Sequence, residues 1–104
     1  MNVEIPGQRR VIAYYGEDAQ SMVHMEECAE LIQAISKMRR VRNKGEDDSD
    51  VRRNLVEEMA DVLICLEQLQ EIYEIHDLDL EKVVNKKCAR QDERLREGMG
   101  TPCI

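Results

Sequence analysis

Four carboxylates stand where apolar side chains are expected. Two short stretches carry them: Glu27 and Glu30 in EECAEL, and Glu58 and Asp61 in EEMADVL. At about 100° per residue, Val23, Leu31, Ala34, Met38 and Val41 fall within about 40° of Glu27. Glu27 therefore projects from the centre of an apolar stripe, with Glu30 at its edge and Glu26 just beyond. Around Glu58, the residues Val62, Cys65, Leu69 and Ile72 fall within about 40°, and Leu55, Leu66 and Tyr73 lie slightly further round. Asp61 takes the edge position on this helix that Glu30 takes on the other. A lone carboxylate in such surroundings loses its hydration or titrates to neutral, and four aimed at one seam cannot all stay ionised without positive charge between them. Neither helix offers a base beside them: Lys37 lies about two turns past Glu30, and the run Arg39 to Lys44 is at the far end. An ion-pair network with the third helix is one solution. Divalent cations are the simpler one, and an all-oxygen donor set selects hard ions, Mg²⁺ or Mn²⁺.

The elements that must position these acids follow from where the chain is interrupted. Residues 1–16 contain Pro6, Gly7 and Gly16 and form a lead-in in which Val11 to Tyr15 is either a short helix or extended. From about Glu17 to Arg42 there is no Gly or Pro, acids come first and bases last, and the helix dipole favours that order. Asn43 to Asp50 is a polar loop. Ser49 or Asp50 caps a second helix reaching Tyr73 or Ile75. Asp77 or Asp79 caps a third, which runs to about Glu97 and stops at Gly98 and Gly100. Residues 98–104 form a loose tail. No stretch alternates as a strand would. The expectation is one all-α domain over residues 1–104, an antiparallel bundle of three main helices.

With its order and spacing, the acid pattern resembles the MazG-like all-α nucleoside triphosphate pyrophosphohydrolases. ExxE (Glu27, Glu30), 27 intervening residues, ExxD (Glu58, Asp61) and the apolar run VLICLEQL carry the resemblance, which covers roughly residues 20 to 95. The family tends to show Lys, Asn and Arg on the following helix. Lys87 and Arg94 match the two bases, while Gln91 stands where Asn is usual. The resemblance implies Mg²⁺-dependent cleavage of a nucleoside triphosphate to the monophosphate and pyrophosphate. Glu27, Glu30, Glu58 and Asp61 are then the metal ligands, and Glu30 or Glu27 accepts the proton of the attacking water. Lys87 and Arg94 meet the outer phosphates. It also implies a homodimer or homotetramer in which the bundle is completed between chains.

Other residues admit two readings each. Lys37, with the basic run to Lys44, is a candidate phosphate contact, though matching of the helix dipole explains the run as well. His24, one turn before Glu27, either touches substrate or metal or is simply packed. Tyr14 or Tyr15 either stacks on a base or packs over the end of the bundle. Glu26 and Glu57 are second-layer groups or ordinary solvated charge. Ala60, Leu63 and Ile64 point away from the Glu58 seam and are expected at a subunit interface.

Composition excludes several classes. The chain has 104 residues, 22 acidic and 15 basic, with a formal net charge of -7, which argues against nucleic acid or an anionic membrane as partner. Its longest apolar run, Val62 to Leu66, is far below the ~18 residues of a membrane span, and Met1 to Arg10 lacks a signal-peptide core. Cysteines 28, 65, 88 and 103 show no zinc-ligand spacing, so they read as reduced thiols in a cytoplasmic protein. No GxxxxGK[ST] loop is present, so triphosphate chemistry here has to rest on metal. A di-iron bundle requires Glu-x-x-His, and neither His stands three residues after a Glu of the tetrad. The competing class is a helical module that binds a nucleotide or a partner without catalysis.

Overall fold

The computed structural model describes residues 1–98 and 100–104. Among them are four helices and no strand: α1 (Arg9–Tyr15), α2 (Glu17–Asn43), α3 (Ser49–Tyr73) and α4 (Asp77–Arg96). Two compact units divide the chain, residues 1–74 and residues 75–104.

In the first unit α2 packs along α3, and α1 touches both. Contacts fix the direction of the pair. Gln20 and His24 on α2 meet Gln68 on α3, while Glu27 meets Glu58 and Asp61, so residue numbers rise along one helix as they fall along the other. The helices are antiparallel, as a short connection demands. That connection is residues 44–48. Asp48 is clasped there by Arg52 at 2.9 Å and Arg42 at 3.4 Å. The Arg52 hydrogen bond, helped by both guanidinium charges, holds the Asp48 carboxyl below its ordinary range. Asp48, not the expected Ser49 or Asp50, occupies the N-cap position of α3. Ser49 is already helical, and its hydroxyl donates to Asp47 at 2.8 Å.

Helix α2 begins with Glu17 and Asp18 and ends with Arg40 and Arg42, the charge order that its dipole favours. The lead-in resolves as helix over Arg9–Tyr15. Gly16, at φ 94°, turns the chain between α1 and α2; its N–H donates to Ile12 O at 2.8 Å, and its own carbonyl accepts from Gln20 N–H at 3.1 Å. A side chain there would oppose the left-handed φ. An ion pair between Arg9 and Glu71 ties α1 to α3. At the other end, α3 stops at Glu74, which adopts the left-handed conformation (φ 54°, ψ 45°) that a C-cap usually reserves for glycine.

The core of this unit is narrow. Ile12, Ala34 and Cys65 are its buried apolar residues, and the polar Gln20, His24 and Gln68 are buried with them. Leu31, Met38, Val41, Val62, Leu69 and Ile72 are only half-buried, although the expected stripes contain them. Leu66 and Tyr73 are exposed.

The second unit is α4 and the tail. His76 precedes the helix as N-cap, where Asp77 or Asp79 was expected, and the Asp79 carboxylate accepts from the His76 N–H at 3.1 Å. No residue of α4 is buried; its apolar residues Leu80, Val83 and Val84 share one face and are exposed. The tail is hydrogen-bonded to α4: Gln91 and Arg94 donate to Cys103 and Ile104.

Candidate functional site

The seam between α2 and α3 has two polar ends. At the first, one carboxylate oxygen from each of Glu27, Glu58 and Asp61 lies within 4.8 Å of the others. All three side chains are half-buried. Glu27 and Glu58 each keep one oxygen, Oε2, that is shielded from water and has no hydrogen-bond partner. Such an oxygen costs free energy wherever nothing meets it. Glu30 is exposed and stands outside this triad, but it is close enough to raise both Glu27 and Glu58. Burial, then the charges of Glu30 and Asp61, push Glu27 up to about 7. Glu58 is raised by burial and by the charge of Glu30. Cys65, one turn beyond Asp61, is buried, and its thiol is pushed up to about 11 by burial and by the neighbouring Cys28, Glu27 and Asp61. It is protonated and inert at neutral pH.

The donor set fits a divalent cation. Opposite ligands of Mg²⁺ or Ca²⁺ sit about 4–5 Å apart, given metal–oxygen bonds of about 2.0–2.6 Å. The triad spans such a distance and supplies oxygen alone. A cation between the acids would offset the repulsion that helps to raise Glu27.

At the second end the polar groups are amides. Gln68 Oε1 accepts from Gln20 Nε2 at 2.9 Å and stands 2.8 Å from His24 Nε2. Gln68 Nε2 donates to Gln8 Oε1 at 3.0 Å. An amide oxygen only accepts, so His24 Nε2 is the donor, and the other ring nitrogen, Nδ1, is buried without a partner. His24 is thus the packed residue of its two readings. The amide cluster was not expected from the sequence, though one signal pointed to it. Gln20 lies seven residues before Glu27, within about 20° of it on the wheel, inside the same apolar stripe.

The remaining expected residues scatter. Lys37 is exposed on α2. Glu26 and Glu57 are exposed. Tyr14 and Tyr15 do not pack over the bundle: they are 82% and 62% exposed, with rings edge to face at 4.8 Å. Two exposed rings adjacent in sequence on a seven-residue helix find more surface in each other than in the narrow core. Lys87 and Arg94 lie on α4 in the second unit; Lys87 is exposed, and Arg94 is half-buried under the tail. Among the described residues no helix is long and apolar enough to cross a membrane.

No curated protein and no solved structure matches the chain. One family model does: that of the MazG nucleotide pyrophosphohydrolase domain, over residues 17–98. The match takes in α2, α3 and α4, and with them all four carboxylates and both bases. With nearly four-fifths of the chain inside that model and its acids converging as described, the chain belongs to the MazG nucleotide pyrophosphohydrolase domain family.

Proposed function

We propose that the chain hydrolyses a nucleoside triphosphate to the nucleoside monophosphate and pyrophosphate, with Mg²⁺ as cofactor and Mn²⁺ as its substitute. The observation that carries this is the triad of Glu27, Glu58 and Asp61 with two buried, unpartnered oxygens. Those three residues, with Glu30 at the rim, would hold the metal. Bound there, the ion would supply charge neutralisation for the triphosphate and activation of water as a nucleophile. Glu30 or Glu27 would take a proton from the attacking water; Glu30 stands outside the triad and beside two of its members, which favours it. Water adds to the α-phosphorus, and the bond to the pyrophosphate oxygen breaks. Lys87, Arg94 and Lys37 would meet the outer phosphates as cations.

The working form on this reading is a homodimer or homotetramer. The outer face of α3 presents Val56, 61% exposed, and Met59, 47% exposed. With Ala60, Leu63 and Ile64 they line an apolar groove beside Val3 and Ile5. Among the described residues of the second unit nothing covers Leu80, Val83 and Val84 on α4. With three buried apolar residues among those described, the chain gains little apolar burial on its own, and a second copy would add to it. No nucleic acid or membrane enters this reading, and its compartment is the cytoplasm.

The test is a panel of ribo- and deoxynucleoside triphosphates with Mg²⁺, Mn²⁺ or EDTA, following monophosphate and pyrophosphate. Metal-dependent release of both products from at least one nucleotide is expected. No release from any of them would leave a helical binding module. Light scattering at micromolar concentration tests the assembly, and a clean monomer would remove it.

A further inference from the structure

Arg94 is held by the chain's own tail. After α4, Gly98 turns at φ 71°, and residues 100–104 come back along the last turns of the helix. Arg94 Nη1 donates to Cys103 Sγ at 2.8 Å and to Ile104 O at 3.3 Å; Gln91 Nε2 donates to Cys103 O at 3.4 Å. A groove of about 490 Å³ runs beside these contacts, lined by Gln91, Arg94, Leu95, Thr101, Pro102 and Cys103. Glu93 and Leu95, the neighbours of Arg94, are exposed, whereas Arg94 itself is half-buried.

The contact is loosely made. A thiol sulfur is a poor acceptor, and two of the three hydrogen bonds are long. A guanidinium prefers phosphate, whose charged oxygens give shorter, stronger hydrogen bonds in the paired geometry its fork matches. We propose that residues 100–104 are a strap that occupies the Arg94 guanidinium and that a phosphate-bearing ligand displaces. The proposal rests on the reading of Arg94 as a phosphate contact. It adds that this contact is masked in the ligand-free chain, so that tail and ligand compete for one side chain.

The test uses the full chain with Cys103→Ala, which removes the sulfur acceptor and leaves the helix untouched, and Pro102→Gly, which loosens the strap. Binding of inorganic pyrophosphate with Mg²⁺ is measured by calorimetry, and KM and kcat for a cleaved nucleotide are measured beside it. Losing one such hydrogen bond from the competing state should tighten pyrophosphate binding and lower KM by about three- to tenfold, with kcat unchanged. In an Arg94→Gln background neither substitution should alter binding. The Arg94 side-chain resonance in arginine-labelled protein should shift with Cys103→Ala before any ligand is added. Equal affinities in wild type and both variants, or a changed kcat with an unchanged KM, would overturn the strap. Ranked pyrophosphate affinities without turnover would sink the hydrolase reading and spare the strap. Turnover without ranking would do the reverse, and no pyrophosphate binding by any of the proteins would remove the strap as well.

Discussion

The two ends of the α2–α3 seam are built on the same pair of helices, two turns apart, and they treat buried polar atoms in opposite ways. At one end, Gln68 holds Gln20, His24 and Gln8 in hydrogen bonds of 2.8–3.0 Å. At the other, Glu27 and Glu58 each keep a buried oxygen that nothing meets, and Glu27 is pushed up to about 7. Apart from His24 Nδ1, which is buried without a partner, the hydrogen-bonded cluster satisfies its own polar atoms and stabilises the fold. A carboxylate cluster of this kind is destabilising until something positive arrives. The contrast separates the residues whose hydrogen bonds hold the hairpin together from those that the proposed function assigns to the metal.

The sharpest way to break the contrast is Glu58→Ala. The amide end should keep the protein helical while Mg²⁺-dependent turnover falls by more than about a hundredfold, beyond what loss of a merely supporting residue costs. Circular dichroism and product release measure the two halves, and near-normal rates would show that the acid end is not the centre. The mirror experiment is Gln68→Ala. It strips partners from Gln20, His24 and Gln8 together, and buried groups left unpaired cost about 1–3 kcal/mol each. Urea denaturation should therefore show a loss of roughly 2–4 kcal/mol, less than the full sum because the site relaxes toward water. Metal affinity per folded molecule should change little.

The two ends should also answer differently to pH. Glu27 rises from an ordinary 4.5 to about 7 in the folded chain, and Glu58 moves the same way. A carboxyl whose folded value is raised contributes stability that is fully present below its unfolded value and lost as pH climbs through the folded one. Metal-free melting temperature should thus fall between pH 5 and pH 8. Mg²⁺ should flatten the fall, and Glu27→Gln should remove most of it. Asp48, whose value is lowered, acts with the opposite sign and only below about pH 4. The smallest effect lies outside both ends. Glu74→Gly relieves a left-handed side chain and should stabilise the chain by about 1 kcal/mol, with activity unaltered.

Much of this architecture was legible in the residues. Helices α2 and α3 end within a residue or two of their expected limits, because a long stretch free of Gly and Pro flanked by NKGEDDSD leaves few choices. Glu27 and Glu58 meet as the wheel placed them, since facing stripes on an antiparallel pair must meet, while Asp61 joins them from the edge position whose counterpart, Glu30, stays outside. Glu30 sits at the rim, where its angle put it. What escaped the sequence depends on partners distant along the chain. Gln68 acquires its role from residues 44, 48 and 60 positions away. Asp48 displaced Ser49 and Asp50 as the cap while two arginines from opposite sides of the loop clasp it. Tyr14 and Tyr15 looked like packing residues because nothing local says how narrow the core is.

The connection of five residues between α2 and α3 bears on the order of events during synthesis. Its closure costs little chain entropy, and contacts near in sequence form fast. All four acids are on the chain by Asp61, before the first residue of α4 has been added. A nascent chain halted once α3 has cleared the ribosome should already form the hairpin and be protected by Mg²⁺ against proteolysis. The metal would then serve as a folding partner before there is any substrate to cleave.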